Sequence, residues 1–311
     1  MAVAIMKGLT GFGVIALGLA AFGSAYAASF NDVVVFGDSL SDNGNLFMAT
    51  SAIGMPTPPS PPYFDGRFSN GPVSVETVAS SFGAPLLDFA FGGATTGLGD
   101  EGDGGSVTSI KFLPGMTTQF AISKSAITPI AASSLFIVWG GPDDLLAPTP
   151  GQTNPVDIAN TAAANIIRIV NGLQALGANQ ILVPGIPDLG VVPDYASDTV
   201  AARLFATTFN SDLIAGLPKG ANYVDTFSLL DDVVANPSAF GFTNATTPCL
   251  SGPTVCANPN QYLFWDGQHP TEAAQLLLAR AIESAVPEPG TALLCLSALG
   301  VVGLIRRRIA A

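Results

Sequence analysis

VVVFGDSLSDNGN, residues 33–45, starts as a wholly apolar, β-branched run and breaks at Gly37-Asp38-Ser39-Leu40 into turn-forming residues. A short apolar run ended by glycine reads as a strand buried on both faces, as parallel strands are. Two further runs, Leu135 to Trp139 and Ile181 to Val183, have the same character and end at Gly or Pro. Helical patterns accompany them: Val73 to Phe82, Val156 to Leu176 with Ile158, Ile166, Ile169, Val170 and Leu173, and Ala201 to Leu213. Strand, long crossover and strand imply an open α/β sheet with helices on both faces. A serine at the C-terminal end of the first strand then stands in the crevice where such sheets bind ligands.

Asp and Ser are also ordinary turn and cap residues, so Ser39 gains meaning only from a partner. The chain has one histidine, His269, in FWDGQHPTEAAQLLLARAI, three residues after Asp266 and just before a helix opened by Pro270 and Thr271. A serine hydroxyl is a poor nucleophile until a base takes its proton, and the base works best when a carboxylate fixes its tautomer and stabilises its cation. Asp-x-x-His supplies both groups on one turn.

These residues resemble a known family. FGDSLSD (Phe36 to Asp42) and DGQHPT (Asp266 to Thr271) are similar to the first and last blocks of the GDSL, or SGNH, esterases and lipases. GRFSNGPVSVE (Gly66 to Glu76), DFAFGGATTG (Asp88 to Gly97) and VWGGPDDLL (Val138 to Leu146) resemble its middle segments in order. The resemblance implies a three-layer α/β/α SGNH-hydrolase fold, flavodoxin-like with a small parallel sheet, and ester hydrolysis without a metal or cofactor. It makes Ser39 the nucleophile, His269 the base and then acid, and Asp266 its orienter. It builds the oxyanion hole from the Ser39 amide, the Gly93 amide (Gly92 if the register shifts by one) and an asparagine side chain. Here the chain departs from the pattern: Gly-x-Asn-Asp reads Gly141-Pro142-Asp143-Asp144. An ionised Asp143 cannot donate, and losing one such donor typically costs roughly 100 to 1,000-fold in turnover. Burial beside Asp144 and Ser39 would keep Asp143 protonated, or another loop would supply the donor.

Weaker expectations attach to other residues. Asp42, Asn43 and Asn45 fix the turn after Ser39; Arg67 and Asn70 shape the entrance or stabilise a turn; Trp139 and Trp265 pack in the core or line an acyl pocket. GLGDEGDGG, Gly97 to Gly105, reads as a solvated flexible loop in preference to a calcium site, because the spacing of its carboxylates does not alternate. The proline-rich stretch Ser51 to Pro62 carries no pattern. Cys249 and Cys256 are expected to form a disulfide in an oxidising compartment.

The 311 residues hold 23 acidic against 11 basic side chains, a formal net charge of -12. That balance excludes sequence-independent nucleic-acid binding, which needs Lys and Arg against phosphate. Both ends lie outside the hydrolase-like body at 28–285. Residues 1–27, with Lys7, the apolar run Leu9 to Phe22 and Ala25-Tyr26-Ala27, read as a signal peptide, the alternative being a retained anchor. At the other end, Val286-Pro287-Glu288-Pro289, an uncharged stretch from Gly290 to Ile305 and Arg306 to Arg308 resemble a PEP-CTERM sorting signal spanning 286–311. It implies processing by an exosortase, with transient inner-membrane anchoring by a transmembrane segment; an ordinary tail anchor is the alternative. Without Lys7 and the tail arginines, seven basic residues face 23 acidic ones.

The combined expectation is an exported serine ester hydrolase, periplasmic, surface-located or secreted. Its expected substrates are esters of short or medium acyl groups, or O-acetyl groups on polysaccharide. A different class stays open with Asp143 in the donor position: a catalytically weakened surface or matrix-binding protein that keeps the fold.

Overall fold

Three apolar runs form the centre of a five-stranded, all-parallel sheet: β1 (Val33–Gly37), β3 (Leu135–Trp139) and β4 (Ile181–Pro184). β2 (Leu86–Asp88) and β5 (Ala221–Val224) complete it as the two edges, in the order β2-β1-β3-β4-β5. The computed structural model describes residues 30–287. The leader, the apolar tail with its transmembrane reading, and Cys295 lie outside those residues. Among the described residues, no helix is long and apolar enough to cross a membrane.

Side chains alternate across the sheet. Val34, Phe36, Phe136, Val138, Ile181 and Val183 point into one core, with Phe120, Ile166 and Phe205. The intervening residues Val33, Val35, Leu135 and Ile137 are also buried, so the central strands are covered on both faces. The covering helices are α2 (Ser74–Phe82), α3 (Met116–Ile127), α5 (Pro155–Ala175), α6 (Thr199–Gly216), α7 (Thr226–Ala235) and α8 (Glu272–Ser284). Two short helices, α1 (Asn45–Ser51) and α4 (Pro142–Leu146), follow β1 and β3 directly. α5 starts where the Asn154 side chain accepts the Val156 N–H and Pro155 sets the first turn. Its Ala159, Ala162 and Ala163 are fully buried, and small residues there let α6 pack along it.

The strand order places a topological switch between β1 and β3. From β1 the chain goes to β2 on one side, then crosses to β3, β4 and β5 on the other. The crevice at the carboxyl ends of β1 and β3 therefore stays open, and both Asp38-Ser39 and Gly140 to Asp143 emerge into it. Gln119 of α3, fully buried, holds the exit of β1: its Oε1 accepts the Gly37 N–H at 3.1 Å and its Nε2 donates to the Gly37 carbonyl at 2.9 Å.

One feature differs from the sequence expectation, and an expected one gains a structural role. The Gly97 to Gly105 segment is an anchored loop: Asp100 is fully buried, and Asp103 accepts the N–H groups of Gly105, Phe112 and Leu113. Its carboxylates satisfy the backbone of a tight turn, which is why so many glycines accompany them. The Cys249–Cys256 disulfide closes a small hairpin, β6 (Leu250–Ser251) and β7 (Thr254–Val255). That hairpin hangs from the chain leading to the histidine, through Cys249 N–H to the Phe264 carbonyl and Leu250 N–H to the Trp265 carbonyl.

Replacing Gln119 by Leu keeps the volume but leaves the Gly37 N–H without that acceptor. The expected loss is about 1–3 kcal/mol, read as a lower urea midpoint at unchanged slope. An unchanged midpoint would show that Gln119 does not hold the strand exit.

Candidate active site

The turn after β1 closes when the Ser41 and Asp42 N–H groups both donate to the Asp38 carbonyl. Asp42 then anchors everything that follows. Its carboxylate accepts the N–H groups of Gly44, Asn45 and Leu46 at the start of α1, and that of Gly92 from the loop after β2. Asn45 adds two bonds to the same loop, donating to the Asp88 and Ala90 carbonyls. Ser39 is left half-buried at the head of the turn, facing the crevice.

His269 arrives from the far end of the chain. Its Nε2 lies 2.8 Å from Ser39 Oγ, and its Nδ1 lies 2.8 and 2.9 Å from the two carboxylate oxygens of Asp266. The Asp-x-x-His spacing works because Asp266 Oδ1 also accepts the backbone N–H of Gln268 and of His269, which curls the segment into one turn. Trp265 N–H donates back to the His269 carbonyl at 2.7 Å, and Ser69 Oγ donates to the Pro270 carbonyl. Asn70 Oδ1 accepts the Glu272 N–H at the start of α8, while Arg67 pairs with Glu76 at 2.6 Å. Both residues stabilise the frame of the entrance.

Two contacts were not legible in the sequence. The Tyr63 hydroxyl donates to Asp266 Oδ2 at 2.6 Å, and the Phe68 ring lies 4.8 Å from the imidazole. Burial raises the Asp266 pKa, but the His269 charge and hydrogen bonds outweigh it and hold the carboxyl well below the usual range. For His269, burial lowers the pKa, and the Asp266 carboxylate, with the charges of Asp38 and Asp194 adding to it, more than offsets this, leaving it raised.

The amides fall into two kinds. Gly92 N–H is taken by Asp42, whereas the N–H groups of Ser39 and Gly93 donate to no acceptor among the described residues. Gly93 has φ +87° and backs onto Asp100, whose Oδ1 would lie 2.7 Å from an added Cβ, so only glycine fits. Ser39, Gly93, Asp143 and His269 line one open cleft of about 350 Å³ together with Tyr63, Glu101 and Asp194. A developing negative charge beside Ser39 meets two unspent N–H donors.

Asp143 sits in the first turn of α4, buried, with Oδ2 bonded to nothing among the described residues. Asp144 beside it accepts both the N–H and the hydroxyl of Thr96, and Asp38 accepts the Leu40 N–H. Burial pushes Asp38 up to about 6 and Asp144 up to about 7. Asp143 is pushed well above the usual carboxylate value by burial and then by the charge of Asp38, with Asp100, Glu101 and Asp144 adding to it. Carboxyls crowded in this way resist ionising together, the one with the fewest donors most of all. Of Asp38, Asp143 and Asp144, Asp143 is the one whose carboxyl receives no N–H or O–H among the described residues.

A second, narrower cavity of about 80 Å³ also opens at the Ser39 and His269 pair, and its walls include apolar residues of α7 and α8. Tyr195 lines it, with its hydroxyl buried and its pKa raised by burial and by Asp143. Trp139 and Trp265 line neither cavity. Trp139 is core, its Nε1 donating to the Gly185 carbonyl, and Trp265 packs with Tyr63 and the disulfide.

A family model described as GDSL-like Lipase/Acylhydrolase matches residues 33–282, and one described as PEP-CTERM protein-sorting motif matches 285–308. The phosphatidylcholine-sterol acyltransferase of Aeromonas hydrophila is 31% identical over 236 residues, 73% of this chain and 68% of that protein. A GDSL esterase/lipase of Arabidopsis thaliana is 27% identical, covering 79% of this chain and 83% of its own. Among solved structures, an acetylxylan esterase from Geobacillus stearothermophilus matches with a TM-score of 0.48 and 13% identity, over 85% of this chain and 98% of its own.

Because the chain has one histidine, an NMR titration reads His269 alone. The imidazole is expected to titrate above its ordinary value, and in Asp266→Asn, where burial remains without the carboxylate, below it. A titration that Asp266→Asn leaves unmoved would contradict this coupling.

Proposed function

Because the chain belongs to the GDSL-like lipase/acylhydrolase family and is an ester-bond hydrolase, we propose that it works through an acyl-enzyme on Ser39. Ser39 Oγ attacks the ester carbonyl as its proton passes to His269 Nε2. The imidazolium is stabilised by Asp266, which Tyr63 and two backbone N–H groups keep ionised. The oxyanion receives the N–H groups of Ser39 and Gly93. The alcohol leaves with the proton from His269, and a water activated by the same nitrogen releases the acid. The observation that carries this reading is the continuous Ser39–His269–Asp266 array, with contacts of 2.8 Å on either side of the imidazole.

Asp143 takes the third donor position as a neutral acid. A protonated carboxyl offers one O–H where an asparagine offers an N–H, as buried carboxylic acids do in other oxyanion sites. Two protonation states must then coincide: His269 neutral to accept the Ser39 proton, Asp143 neutral to donate. Activity is lost as pH falls through the raised His269 pKa, and also as pH rises through the raised Asp143 pKa.

The sorting motif at 285–308 supports export, and we assign residues 1–27 to a cleaved leader and the tail to removal by an exosortase-type enzyme. Substrate classes consistent with the family are simple acyl esters and acetylated glycans.

Hydrolysis of p-nitrophenyl butyrate by the body is expected to be abolished in Ser39→Ala and in His269→Ala; turnover surviving in either would overturn the mechanism. Asp143→Asn is expected to raise kcat, modestly at the acid end of the active range and by up to about 100-fold under alkaline conditions, where the wild-type carboxyl ionises. An equal or lower kcat at alkaline pH would remove Asp143 from the donor set.

A further inference from the structure

The narrow cavity beside Ser39 continues between α7 and α8, where Leu229, Leu230 and Val233 face Ala274, Leu277 and Leu278. The two helices barely touch each other. Leu229, Leu230, Leu277 and Leu278 are accordingly neither exposed nor fully buried, and the first three also pack against the core. Apolar surface left between two helices is stabilised when something apolar fills it. Of the hydroxyls near it, Thr226 Oγ1 donates to the Gly185 carbonyl at 2.6 Å, and the buried Tyr195 hydroxyl is the one polar atom of that wall without a partner among the described residues. No charged side chain of α7 or α8 lines the cavity.

The wider cleft, which shares Ser39, Asp143, Gln268 and His269 with this cavity, has the contrary character in its other walls, with Thr57, Tyr63, Glu101 and Asp194. An ester placed on Ser39 has one aliphatic and one polar direction in which to lay its two halves. Resting on the acyl-enzyme reading above, we propose that the cavity between α7 and α8 holds the acyl chain, and that the enzyme prefers esters of medium-chain aliphatic acids over acetyl esters. An acetyl group reaches no further than the residues around Ser39 and leaves the space lined by the leucines unfilled. Each methylene added inside the cavity removes one CH₂ from water, worth up to about four-fold in kcat/KM. Leu230, at the middle of α7, is a specificity-determining residue because a larger side chain there shortens the cavity.

The test is kcat/KM for p-nitrophenyl acetate, butyrate, hexanoate and octanoate with the full body, each below its micelle-forming concentration. The expected result is a rise from acetate to at least hexanoate. In Leu230→Trp the ratio of octanoate to acetate is expected to fall at least about ten-fold. Turnover of acetate with no gain on longer chains would overturn the acyl-chain assignment while leaving the Ser39 mechanism standing. Absence of turnover on every ester, abolishing any difference from Ser39→Ala, would overturn both. A ratio that Leu230→Trp does not change would remove α7 from the acyl site even if longer chains are preferred.

Discussion

An imidazole held between Ser39 and Asp266 joins two segments 230 residues apart, and much of the fold serves to hold it there. On one side, β1 must end in the crevice, which the 2-1-3-4-5 strand order leaves open and Gln119 fixes in place. On the other, the segment from Leu263 to Pro270 must be rigid enough to aim a side chain. It is bound by the disulfide hairpin at Phe264 and Trp265, by Ser69 at Pro270 and by the cap of α8 at Thr271. A displacement of about 1 Å between nucleophile and base suffices to cost orders of magnitude in rate. Buried backbone bonds far from the reacting atoms are therefore part of the chemistry.

Electrostatics imposes a second constraint, because the site gathers carboxyls around a single imidazole. Asp266 is kept ionised by the histidine, the Tyr63 hydroxyl and two amides. Asp143 has no such donors, and burial with the charges of Asp38, Asp100 and Asp144 pushes its pKa up. Two residues of the same type are thus shifted in opposite directions within one cleft, partly by what bonds to each. An aspartate in a position that calls for a hydrogen-bond donor is chemically workable under that condition.

The central sheet was legible in the sequence because β1, β3 and β4 are buried on both faces and contain little besides Val, Ile, Leu and Phe, while Ser39, Asp266 and His269 stood out through the turn after β1 and the Asp-x-x-His spacing. The edge strands were not legible. Leu86–Asp88 and most of Ala221–Val224 are only partly buried, so they lack an apolar run. α3 escaped because two of its inward positions are Gln119 and Ser123, chosen for hydrogen bonding rather than for apolarity. Tyr63 and Phe68 come from a proline- and glycine-rich stretch with no periodicity, and only the folded chain brings them against Asp266 and His269. The Asp143 substitution was visible at once, but its charge state depends on Asp38 and Asp100, neighbours in space from other segments.

The central claim is that Ser39 alone is made nucleophilic, by the one histidine. Stoichiometric labelling with diethyl p-nitrophenyl phosphate, followed by peptide mass spectrometry, tests it without a substrate preference entering. The account predicts a single diethylphosphoryl adduct on Ser39, formed in the wild-type body and absent when His269 is replaced by Ala. An adduct at another residue, or labelling of Ser39 that persists without the imidazole, would contradict it.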